Sequence, residues 1–142
     1  MNNFQGKIYT EYNVLYKNGF ENKAIEDNGF LFSSVTCINK ITGMIFNFTL
    51  EKGMLSISLS TDEILNDKKI KKYDKYIDLF YLVKLLNPSI NFRKINFSIY
   101  PSFINDNFNK LLLLFDKKNI NETIKEINQI SKNYNKIRWK NN

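Results

Sequence analysis

Histidine is absent from this sequence, cysteine occurs once, and glycine occurs only five times in 142 residues. Without histidine no side chain has an unperturbed pKa near neutrality. Ser-His-Asp and Cys-His nucleophile systems are therefore excluded. Imidazole-ligated zinc is excluded as well, and a lone thiolate builds no metal cage. The five glycines are not spaced as a phosphate cradle. Catalysis is left to carboxylates, Lys, Tyr or Arg. The acid pairs Glu26-Asp27 and Asp62-Glu63 are adjacent in sequence, and neighbouring acids on a strand or loop point apart. Glu51-Lys52 falls in a turn rather than mid-strand, where a metal-dependent nuclease would need such a pair. The expectation is a binding protein rather than an enzyme, with no catalytic residue, metal site or cofactor.

What is present is apolar and aromatic. Hydrophobic residues make up 43% and aromatics 15% of the chain, enough to offset the entropy of ordering one domain over residues 1–142. The single cysteine, Cys37, permits no internal disulfide and falls inside a strand pattern, as a buried structural thiol would. The start, Met1 to Lys7, lacks a basic segment followed by an apolar one. The longest apolar runs, 77–86 and 111–115, are too short to span a bilayer. No membrane association and a cytoplasmic location are expected.

Charge is unevenly spread. The formal net charge is +7, and residues 1–60 contribute nothing to it, with five lysines against five acids. Residues 61–142 carry the whole excess, which suits contact with nucleic acid, an acidic protein or an anionic surface. The abundance of Asn, Lys and Ile also fits an AT-rich coding bias, which gives a solvated lysine face without a function.

The patterning predicts an α+β fold in which an antiparallel β-meander packs on one face against several helices. Residues 4–17 read two ways: Phe4, Ile8, Tyr12, Leu15 and Tyr16 follow helical spacing and end at Asn18-Gly19, which favours a helix, while Ile8, Thr10, Tyr12, Val14 and Tyr16 also alternate as a strand would. Strands are expected at 30–38, 44–50 and 55–60, with turns at 39–43 and 51–53 and a short further strand at 20–26. Leu55, Ile57 and Leu59 alternate with Ser56, Ser58 and Ser60, which predicts a sheet covered on one side and wet on the other. Ser60-Thr61-Asp62-Glu63 reads as a helix N-terminus. A charged connection over 67–75 precedes a helix over 73–86, stopped by Pro88. Residues 92–100 alternate as a strand would. Helices follow at 102–116, where the run Leu111 to Phe115 is apolar on every face, and at 119–138. On the last helix Ile120, Ile124, Ile127, Ile130, Tyr134 and Ile137 form one stripe, opposite Lys125, Lys132, Lys136 and Lys140.

The order of segments carries a resemblance. Leu15-Tyr16-Lys17-Asn18-Gly19-Phe20 leads into a meander, then Tyr76 to Leu86 (YIDLFYLVKLL), Asn107 to Phe115 (NFNKLLLLF), Asn119 to Thr123 (NINET) and Arg138-Trp139. This arrangement resembles small bacterial immunity proteins of polymorphic-toxin and contact-dependent growth inhibition loci. The resemblance implies a protein that binds and blocks a cognate toxin domain; a monomer or weak homodimer is expected. Inhibitors of nuclease toxins are often acidic, and this chain departs from that pattern. Glu21, Glu26, Asp27 and Glu51 are candidates for an acidic contact patch, and Lys125, Lys132, Lys136 and Trp139 for a basic one. The alternative from another class is a nucleic-acid-binding accessory protein that uses the basic C-terminal helical half. The arginines number only two, Arg93 and Arg138, and the last helix has little aromatic interleaving, which serves base stacking poorly.

Overall fold

The structure, a computed structural model, describes residues 3–29 and 31–140. It is an α+β fold in which a five-stranded antiparallel sheet, ordered β1-β2-β3-β4-β5, packs against helices. The strands are β1 (Phe20–Asp27), β2 (Phe32–Asn39), β3 (Met44–Glu51), β4 (Met54–Thr61) and β5 (Ile77–Asp78). Phe30, assigned to the second strand from sequence, lies outside the described residues.

The meander follows from its turns. Lys52 and Gly53 both take positive φ, 51° and 81°, and connect Glu51 directly to its partner Met54. Two left-handed residues in a two-residue loop give the turn whose twist matches paired strands. Between β2 and β3, Asn39 organises the loop: its Oδ1 accepts from the Ile41 and Thr42 amides, and its Nδ2 donates to the Asn18 carbonyl at 2.9 Å. One buried side chain thus joins the hairpin to the end of the N-terminal helical segment.

That segment is not one helix. It breaks at Tyr12 into α1 (Asn3–Glu11) and α2 (Asn13–Lys17). Tyr12 is almost fully buried against Phe48, with ring centroids 4.8 Å apart, and packing there outweighs a continuous backbone ladder. Phe4, Ile8, Tyr12 and Leu15 still bury one common face, as their spacing requires.

Val35, Cys37, Phe46, Phe48, Ile57 and Leu59 form the inner face of the sheet. The opposite face carries Ser34, Thr36, Asn47, Thr49, Ser56 and Ser58, none of them buried. That polar face closes at one end, where Ile38, Ile45 and Ser60 share a row and are buried. Ser60 donates to the Lys75 carbonyl at 2.6 Å, which fastens the 67–75 connection along that end.

Two further expectations are corrected. The helix over 73–86 is shorter: α4 spans Leu79–Leu86, and Ile77-Asp78 pairs with β4 as β5. Ile77 is buried opposite Leu59, and the Asp78 side chain accepts from the Phe80 amide and so starts α4. Residues 92–100 are not a strand but two 3-10 turns, at Phe92–Lys94 and Phe97–Ile99. Asn91 and Asn96 accept hydrogen bonds from the amides two residues on, at Arg93 and Ser98, and these local bonds replace a strand ladder. In the apolar run Leu111–Phe115, Leu111 and Phe115 are buried, whereas Leu113 is 59% exposed.

The remaining helices are α3 (Asp62–Asn66), α5 (Tyr100–Leu114) and α6 (Ile120–Lys140). Thr61 caps α3 by accepting from the Ile64 amide, with Asp62 and Glu63 in its first turn. The α6 stripe is buried at Ile120 and Ile127, half-buried at Tyr134, and 48% exposed at Ile137. Its C-terminal turns therefore run past the core.

Candidate functional site: a basic aromatic cleft

Where α6 leaves the core, its apolar stripe meets the connection after α4. Pro88 follows the end of α4 and sends the chain back over it. Lys84 holds the returning loop: its Nζ donates to the Ile90 carbonyl at 2.6 Å and lies 4.7 Å from the centre of the Phe92 ring. Phe92 stacks on Phe80 at 5.8 Å and tilts against Tyr134 at 4.9 Å. Tyr134 in turn meets Phe80 and Tyr81 edge-on. Phe92 and Tyr134 of this cluster line an open cleft of about 680 Å³, together with Lys84, Ile90, Asn91, Arg93, Ile137 and Arg138.

Both arginines of the chain therefore reach one cleft from positions far apart in sequence. Arg138 lies 5.7 Å from the Tyr134 ring and 5.9 Å from the Trp139 ring, and Trp139 is 70% exposed beside it. No lining residue is acidic. Among the described residues the ion pairs are Lys40–Glu21 and Lys117–Glu63, so neither guanidinium has a carboxylate partner. The two guanidiniums offer the cleft positive charge and planar, fork-shaped donors. A second hollow, of about 610 Å³, lies between the 39–43 turn and the end of α5. There Lys117 is already paired with Glu63 at 3.7 Å.

The acids singled out from sequence do not form one patch. Glu21 pairs with Lys40 at 2.7 Å, at the end of the sheet near the 39–43 turn. Asp27 and Glu51 are at the opposite end, and Glu26 is near it. Asp27 accepts from the Gly29 amide and the Ser33 hydroxyl, and these bonds hold its pKa below the usual carboxylate value. Glu26 accepts from the Asn28 side chain. Lys125, Lys132 and Lys136 are exposed along α6 and do not line the cleft. Of the eight, only Trp139 adjoins it.

Arg93, Arg138, Lys84, Phe92 and Tyr134 were not singled out as a site. The sequence signal was the rarity of arginine in a lysine-rich chain, with one arginine next to the sole tryptophan. Cys37 lies outside the site: it is buried between Tyr16 and Asn22, with Sγ 3.3 Å from the Tyr16 hydroxyl and 3.4 Å from Asn22 Oδ1. Among the described residues no three of Cys, Asp and Glu come together as metal ligands, and no helix is long and apolar enough to cross a membrane. Set against known proteins, the chain matches no family model, no curated protein and no solved structure.

Proposed function

We propose that this chain is an immunity-type binding protein that docks on a toxin domain of another bacterial protein and blocks it. The observation that carries the reading is the cleft itself. Trp, Tyr and Arg dominate the energetics of protein interfaces, and Trp139, Tyr134, Arg93 and Arg138 lie together at an open surface. The segment order described above supports the same reading. Inhibition of this kind is steric and electrostatic, so it asks for no chemistry from the inhibitor.

A nucleic-acid reading draws support from the net charge of +7. A strand-binding platform needs successive free ring faces. Phe92 and Tyr134 are instead engaged by Phe80, Tyr81 and Lys84, and the exposed Trp139 ring is approached by Arg138, so successive open ring faces are not presented here.

The test is co-expression of the tagged chain with the product of the adjacent gene. A stoichiometric complex free of nucleic acid, together with relief of that product's growth arrest, supports the proposal. Purification with nucleic acid and no protein partner overturns it.

A further inference from the structure

We infer that the cleft between the 89–93 loop and the end of α6 receives an acidic segment of the partner protein, with a carboxylate held between Arg93 and Arg138 and an apolar side chain against Ile90 and Ile137. The inference rests on the binding function proposed above and names the chemistry of its partner.

Three features select this ligand. The two guanidiniums line one cavity with no acid in its lining and no carboxylate paired to either, so their attraction for an anion is not cancelled internally. Arg, unlike Lys, grips a carboxylate through two parallel hydrogen bonds. Lys84 is not a third free cation, because its ammonium is committed to the Ile90 carbonyl and the Phe92 ring. It acts as a positioning residue for the wall that carries Arg93. The wall next to the charges is greasy: Ile137, the last member of the α6 stripe, is 48% exposed inside the cleft lining. A polyphosphate backbone does not use such a surface, whereas a peptide alternating acidic and apolar side chains matches both halves.

Trp139 is the only tryptophan in the chain and adjoins Arg138, so its emission reads the cleft in the full-length protein. The probes are a capped peptide alternating glutamate with phenylalanine, the same peptide with glutamine for glutamate, and an oligothymidylate. Each is titrated into the wild type, into Arg93→Gln/Arg138→Gln and into Lys125→Gln/Lys132→Gln. The two double variants lose the same formal charge, and circular dichroism checks that both are folded. The expected result is saturable binding of the glutamate peptide and none of the glutamine peptide. The arginine variant should weaken it by roughly tenfold or more, and the lysine variant by less than about threefold.

Equal losses in the two variants would mean diffuse charge attraction and overturn the inference. Tighter binding of oligothymidylate than of the glutamate peptide would overturn it in favour of a nucleic-acid surface. If the peptide fails while the chain still neutralises a toxin partner, the inference falls and the binding function stands. If the peptide binds at the arginines and no toxin is neutralised, the acidic-ligand site stands and the immunity function falls.

Discussion

The Lys84 ammonium lies 4.7 Å from the centre of the Phe92 ring while bonded to the Ile90 carbonyl two residues earlier. One side chain of α4 thereby fixes the height of the loop that carries Arg93. Lys84→Met keeps the apolar stem and removes both contacts. A charged hydrogen bond and a ring contact of this kind together contribute about 1–3 kcal/mol. The substitution should lower the urea midpoint accordingly and weaken binding at the cleft. Unchanged stability and unchanged peptide affinity would show that the loop is held by the aromatic cluster alone.

Asn39 concentrates three hydrogen bonds in a buried position. Asn39→Ala leaves the Asn18 carbonyl and two turn amides without their partner. The expected cost is about 2–4 kcal/mol, read as a fall in melting temperature. A loss within experimental error would mean that water replaces the side chain.

Lys52 takes a left-handed conformation that asparagine accepts more readily than lysine. Lys52→Asn should stabilise the hairpin by roughly 0.5–1 kcal/mol. Thermal melts of the two proteins decide it, and a lower melting temperature in the variant would contradict the turn geometry.

Burial raises the Cys37 thiol from an ordinary value of 9.0 to about 11. The stability that comes from keeping this thiol neutral is present in full below about pH 9 and is lost as pH rises through about 11. In that window the unfolded chain releases a proton that the folded chain retains, so unfolding becomes easier with a slope of at most about 1.4 kcal/mol per pH unit. Burial also raises the phenols of Tyr12, Tyr16 and Tyr100, which extend the decline to higher pH. Urea midpoints measured from pH 8 to 10 should fall in the wild type and fall less in Cys37→Ala. Parallel profiles would exclude the thiol as the source. Under native conditions a thiol-reactive dye should label Cys37 only through unfolding.

The sheet was legible because its signals were local. Phe46, Phe48, Ile57 and Leu59 alternate with polar residues, and the turns between strands contain Gly43 and Gly53. The two misread stretches turned on polar side chains bonding to nearby backbone. Arg93, Ile95, Phe97 and Ile99 recur at every second position as in a strand, but the Asn91 and Asn96 oxygens accept from amides two residues on and turn the chain instead. Asp78 sits inside a helical pattern but starts the helix. The cleft was illegible for another reason. Arg93 and Arg138 line one cleft because the loop after Pro88 folds back over α4, held by Lys84, and because α6 runs past the core, and no sequence period links those events.

The bulge in β1 between Asn22 and Ala24 has a consequence for how molecules behave at high concentration. β1 forms one edge of the sheet, where an unpaired row of amides and carbonyls is a template for aggregation. The irregular register interrupts that template midway, and Glu21, Lys23, Glu26 and Asp27 place charge along it. The edge is thereby a poor seed for fibrils, because an incoming strand would find its ladder broken at Lys23.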